Sequence, residues 1–178
     1  MKNFLFALVA GCIITLTGVN GANAQNPVSP APKKFSEMEK AMVPANDEVP
    51  GRDMISPRAL RDFAKRCKNV TAERWVKVNG GYSANFISDG VSNSIFYNSH
   101  GKWLSSLRGY NEEKLPHEIR DIVKYEYHDY SIFYVQEIET IGAYGTPAYL
   151  IYLEGKNNFK VMRIKDGQAD VMREIKKS

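Results

Sequence analysis

Residues 80–107 read GGYSANFISDGVSNSIFYNSHGKWLSSL, and this stretch decides the fold. Short apolar runs alternate with small turn residues. Gly80-Gly81, Asp89-Gly90 and Ser99-His100-Gly101 separate Tyr82–Ser88, Val91–Asn98 and Lys102–Leu107. Gly-Gly and Asp-Gly pairs between apolar runs mark hairpins, because the tight hairpin turns need positive φ. Ala72–Asn79 supplies one more strand upstream. The region therefore predicts a four-stranded antiparallel meander.

Working outward, the period changes on both sides. Ser56-Pro57 places a capping residue before proline at the first helical position. Leu60, Phe63, Ala64 and Cys67 follow at i, i+3, i+4 and i+7, which is one apolar helix stripe. After the meander, Leu115-Pro116 opens a second helix over His117–Tyr127, with Ile119, Ile122 and Val123 in its stripe. Four more strands are predicted at Ser131–Thr140, Ala148–Glu154, Asn158–Ile164 and Gln168–Ile175. The order is helix, four strands, helix, four strands. It predicts an α+β fold: two tandem helix-plus-four-stranded antiparallel units, about 56–108 and 115–177, forming one sheet with the helices packed on one face. The domain so defined runs over 54–178.

Farther out the chain changes character. Residues 25–53 carry Pro27, Pro30, Pro32, Pro44 and Pro50 with few apolar residues, and read as a poorly ordered tether. Residues 1–24 read as a signal peptide. Lys2 is the basic start, an apolar stretch follows, and Ala22-Asn23-Ala24 offers a cleavage site between Ala24 and Gln25. Two rivals are a retained anchor and a lipoprotein signal at Cys12, since Val9-Ala10-Gly11-Cys12 resembles a lipobox. The apolar run is shorter than the roughly 20 residues that span a bilayer. The mature chain is expected to carry no transmembrane segment and to be periplasmic or secreted.

The chain has 178 residues with 43% hydrophobic and 25% charged side chains, the balance of an ordinary globular protein. Its net charge of +4 argues against a nucleic-acid binder, which at this size would carry more, clustered on one face. Two cysteines exclude a disulfide framework, and Cys12 leaves with the signal peptide. Cys67 falls in a helix stripe and reads as a small buried hydrophobe, with a reactive thiol as the alternative.

Catalytic chemistry is hard to find. No Gly-x-Ser-x-Gly elbow and no phosphate-cradling glycine loop occurs. His117 and His128 lie roughly 16 Å apart at 1.5 Å per helical residue, too far to share a metal. Glu137 and Glu139, at alternate strand positions, are the nearest thing to a carboxylate pair and read as a solvated edge. The expectation is a non-enzyme without cofactor or metal.

The strands carry a different signal. Ile95-Phe96-Tyr97, Ile132-Phe133-Tyr134-Val135 and Tyr149–Leu153 are unbroken apolar runs. Adjacent strand residues point to opposite faces, so both faces should carry apolar groups. Either a partner covers the second face or it is an aromatic recognition surface. Trp75, Tyr97, Trp103, Tyr134 and Tyr152 are the candidate contacts, with core packing as the alternative for each.

Leu115-Pro116, Glu118–Lys124, Tyr130-Ser131-Ile132 and Glu137-Ile138-Glu139 resemble the repeat of the periplasmic PepSY-like proteins, a group also described as β-lactamase-inhibitor-like. Asn98-Ser99-His100-Gly101-Lys102-Trp103-Leu104 is similar to that family's turn, although Ser99-His100 replaces its more usual acidic form. The resemblance covers roughly residues 55–178. It implies export and a two-unit α+β fold. It also implies a binding role toward an exported protein, as an inhibitor or a chaperone. The expected function is therefore a non-catalytic protein-binding module. The alternative is a small-molecule or lipid carrier using the apolar sheet face.

Overall fold

The computed structural model describes residues 51–143 and 145–177. The expected signal peptide, with its expected cleavage site at Ala24 and Gln25, the candidate lipobox Cys12 and most of the expected tether lie outside the described residues. A one-turn 3-10 helix, Arg52–Met54, leads into helix α1 (Pro57–Arg66). Strands β1 (Val70–Val78), β2 (Gly81–Ser88), β3 (Val91–Asn98) and β4 (Trp103–Tyr110) follow. A second 3-10 turn, Glu112–Lys114, precedes helix α2 (His117–Glu126). Strands β5 (Ser131–Thr140), β6 (Ala148–Glu154), β7 (Asn158–Lys165) and β8 (Gln168–Lys176) complete the chain.

All eight strands form one antiparallel sheet in sequence order, β1 to β8. Asp89-Gly90 and Asp166-Gly167 make two-residue turns, with positive φ at both positions of each. The sheet corrects the expectation of two tandem α+β units. Strands β4 and β5 are paired from Ser105↔Thr140 to Tyr110↔Val135, so the hydrogen-bond ladder runs unbroken through the middle of the chain. The core does not divide by sequence half either. Val91 of β3 and Tyr110 of β4 pack in one cluster with Val135, Ile151 and Leu153. Among the described residues, α-helix is confined to two ten-residue helices against eight strands of seven to ten residues. The fold is a β-rich single sheet.

Register fixes which side chains share a face. Trp75, Ala84, Ile95 and Ser106 stand opposite one another on consecutive strands, as do Tyr110, Val135, Ile151 and Met162 farther along. Both rows belong to the face that carries the helices. Under α1, Ala59 and Phe63 pack on Trp75, Phe86 and Tyr97, with Leu60 and Cys67 at the margin. Ala64, expected in that stripe, is exposed, and Ala59 takes its place. Under α2, Val123 is fully buried against Val135, Leu153 and Ile164, with Ile119 and Ile122 beside it. Burying these stripes supplies most of what holds such short helices, since ten residues alone are marginal in water.

Candidate functional site

The two faces of the sheet differ in composition, and the difference reverses along the sheet. On the face opposite α1 and α2, which is helix-free among the described residues, the first strands present Ser83, Asn85 and Ser94 beside Val76 and Phe96. Their side chains are linked through Asn85 Oδ1, which accepts from Ser94 Oγ at 2.6 Å and Ser83 Oγ at 3.3 Å. The later strands present rings. Tyr134 and Tyr152 are cross-strand partners, 5.5 Å between centroids. Phe133 stands 6.1 Å from Tyr152 and 6.1 Å from Phe159, both edge-on. Leu150 and Val161, both half-buried, extend the patch.

The chain geometry behind the cluster is local. The β5–β6 ladder shifts register between Ile132 and Tyr134. A bulge of this kind spends two residues against one. Ile132 and Val135 therefore enter the helix-side core, while Phe133 and Tyr134, though adjacent, both join the ring cluster. Tyr134 lies over β4 because position 109 is glycine. A Cβ there would collide with the Tyr134 hydroxyl. The Tyr152 hydroxyl donates to Gln136 Oε1 at 2.9 Å, and Gln136 is fully buried. Burial pushes the Tyr152 hydroxyl up to about 12, so it stays a neutral donor across the physiological range.

The five aromatic residues singled out from sequence separate cleanly. Tyr134 and Tyr152 come together on the helix-free face. Trp75 and Tyr97 lie buried beneath α1, their rings stacked 5.8 Å apart. Phe63 closes on Trp75 edge-on at 5.3 Å. The Tyr97 hydroxyl donates to Asp62 Oδ2 at 3.1 Å, and burial first, then Asp62, raises its pKa. Trp103 is half-buried on the helix side, its indole N–H donating to Ser106 Oγ at 3.0 Å. Sequence reasoning did not single out Phe133 and Phe159. The only available signal for Phe133 was its place in an unbroken apolar run.

Most of the side chains weighed for catalysis from sequence are engaged in structural contacts. Glu137 accepts from the Tyr110 hydroxyl at 2.6 Å and faces Arg108, while Glu139 is exposed. His117 pairs with Asp121 one turn along α2. Desolvation raises the Cys67 thiol pKa, opposed by Arg66, so the thiol is a poor nucleophile at neutral pH. Among the described residues, no group of three His, Cys, Asp or Glu side chains could hold a metal ion. No helix among them is long and apolar enough to cross a membrane.

Comparison with known proteins places the fold. A BLIP-like protein from Bacteroides fragilis superposes with a TM-score of 0.56 at 17% identity, over 68% of this chain and 86% of that one. A DUF2874 family protein from Bacteroides uniformis matches with a TM-score of 0.54 at 10% identity, over 67% and 88%. A Bacteroides eggerthii protein described as periplasmic matches with a TM-score of 0.54 at 12% identity, over 68% and 88%. At these identities the likeness is one of fold: the chain has the β-rich architecture of BLIP-like proteins. No family model and no curated protein matches the sequence.

Proposed function

We propose that the chain is a periplasmic or secreted, non-catalytic protein-binding module that grips an exported protein with the helix-free face of its sheet. The observation that carries this reading is the cluster of half-buried Phe133, Tyr152 and Phe159, seated on buried Tyr134, on the face away from α1 and α2. Rings held in fixed mutual geometry offer large contact area at little further entropic cost, and tyrosine hydroxyls keep such a surface compatible with water. Export is supported by the leader-like residues 1–24 and by the periplasmic description of a fold neighbour. The PepSY-like resemblance and the BLIP-like neighbour favour an inhibitor or chaperone of an exported enzyme.

The test is capture of a partner from periplasmic extract of the source organism, with the wild-type chain and with Tyr152→Ala side by side. A protein retained by the wild type and lost with Tyr152→Ala, at a temperature where circular dichroism shows both chains folded, supports the reading. Equal retention by both chains, or a small molecule co-purifying on the sheet in native mass spectrometry, would replace it with the carrier function.

A further inference from the structure

On the helix side of the sheet, away from the ring cluster, lies a cavity of about 330 Å³ between α1, the β3–β4 turn and the end of β5. Its wall is basic. Arg58, Arg61 and Lys65 line it from α1, and Lys102 faces them from the turn. Positions 58, 61 and 65 are spaced i, i+3 and i+7, so the three cations share one helix face. Like charges at such spacing disfavour the helix by a few tenths of a kcal/mol per pair, about 0.2–0.5, so packing alone does not select them.

The acidic complement is already spent. Asp62 is the one carboxylate on the wall. It holds Arg66 Nε at 2.7 Å and accepts from Tyr97. Arg66 in turn lies 4.8 Å over the Trp103 ring. Among the described residues, Arg58, Arg61, Lys65 and Lys102 have no carboxylate within ion-pair distance. The other helix shows that this is no property of the fold. In α2 the cations Arg120 and Lys124 both face Glu112, and they also donate to the carbonyls of Glu112 and Tyr130.

The far wall is built to stay put. Asn98 Oδ1 accepts from the backbone N–H groups of His100 and Lys102, which fixes the turn. Gly101 sits against the start of α1, where a Cβ would collide with Ser56 Oγ and crowd the Ala59 backbone nitrogen. Lys102 is thus presented to the α1 cations by a packed turn, beside the flat wall of Trp103.

We propose that this cavity is an anion site for a phosphate-bearing group carrying more than one negative charge, such as a pyrophosphate or a phosphorylated headgroup. Guanidinium forks match phosphate oxygens two at a time, and ammonium groups add point charge. Four unpaired cations around one small cavity exceed what a single carboxylate neutralises. The same chemistry is offered by a soluble phosphorylated compound and by an anionic lipid headgroup.

The experiment uses the full chain, with inorganic pyrophosphate as probe and the Trp103 indole N–H as reporter in ¹H–¹⁵N NMR. Trp75, buried under α1, is the internal reference. Trp103 should shift saturably while Trp75 stays still, and binding should weaken as sodium chloride rises. Arg61→Ala with Lys65→Ala should weaken binding about tenfold or more, since both side chains are exposed and unpaired. Lys156→Ala, in the exposed β6–β7 turn, should not weaken it. A Trp103 shift that never saturates, or equal affinity in the double variant, overturns the site. Co-sedimentation with phosphatidylglycerol vesicles then assigns the source. Vesicle binding that pyrophosphate displaces marks a headgroup, and pyrophosphate binding without vesicle binding marks a soluble ligand.

Discussion

The tightest ring clusters lie on opposite faces at the two ends of the sheet. In β1–β3 the tight ring cluster of Trp75, Phe86 and Tyr97, closed by Phe63, faces the helix and fills the core. In β5–β7 the rings of Phe133, Tyr134, Tyr152 and Phe159 face away from the helix, and mainly non-aromatic Val135, Ile151, Met162 and Ile164 fill the core, with Tyr149 at its margin. The first set is held by geometry-specific ring contacts and a buried hydroxyl on Asp62. The second is not needed under α2, because Val135, Ile151, Leu153, Met162 and Ile164 already close that core. The same residue types thus serve packing at one end and surface at the other. Only their register against the helices tells which.

The largest expected effect separates the two ends directly. Phe63→Ala removes a ring that is 5% exposed and in edge contact with Trp75 and Phe86. The expected cost is about 3–5 kcal/mol in chemical denaturation. Phe133→Ala, at a half-buried ring, should cost less than half of that, while affecting partner capture in the same way as Tyr152→Ala. Equal losses of stability from the two truncations would erase the distinction between core rings and surface rings.

A middle-sized effect tests how the second ring cluster is seated on the sheet. Gly109→Ala places a methyl against the Tyr134 hydroxyl and ring, and Tyr134 is 3% exposed and packed on Tyr152. Overpacking of this kind costs about 1–3 kcal/mol. Tyr134→Phe removes the oxygen nearest the new methyl. The double variant should therefore recover part of the loss, a coupling readable in a double-mutant cycle. Strict additivity would mean that β4 does not set the Tyr134 ring position.

The sequence made the elements legible and left their assembly obscure. Asp89-Gly90 and Asp166-Gly167 announce their hairpins because aspartate-glycine tolerates the positive φ that those turns require. Alternation predicts faces only while pairing is regular, and four ladders here shift register, at Thr71/Arg74, Phe96/Tyr97, Ile132/Tyr134 and Val161/Met162. Each shift reverses parity beyond it. That is why Trp103, read from sequence as a candidate contact, is found on the helix side opposite Tyr97, and why Phe133 sits beside Tyr134. The seam between β4 and β5 was hidden for another reason. A helix-then-four-strands pattern written twice describes two separate units as well as one sheet. Only the long-range pairing of Tyr110 with Val135 decides between them.

The smallest effect at neutral pH belongs to Tyr152→Phe, and it grows informative in alkali. At pH 7 the change removes one neutral hydrogen bond to Gln136, worth about 0.5–1.5 kcal/mol. Burial holds the folded-state pKa at about 12, above the value near 10 of an unfolded tyrosine. Below the unfolded value both states keep the proton, so the contribution to stability is complete there. As pH rises from about 10 toward 12, the unfolded chain gives up the proton first, and that contribution drains away. The wild type should therefore lose more stability over this window than Tyr152→Phe. Phenolate absorbance should lose a step near the upper end of the window in the variant. Tyr97→Phe should leave that step in place, because Tyr97 lies in the other ring cluster and Asp62 also holds its proton. If Tyr97→Phe removed the step and Tyr152→Phe did not, the ring nearer to water would be Tyr97, and the assignment of the two clusters to core and surface would have to be exchanged.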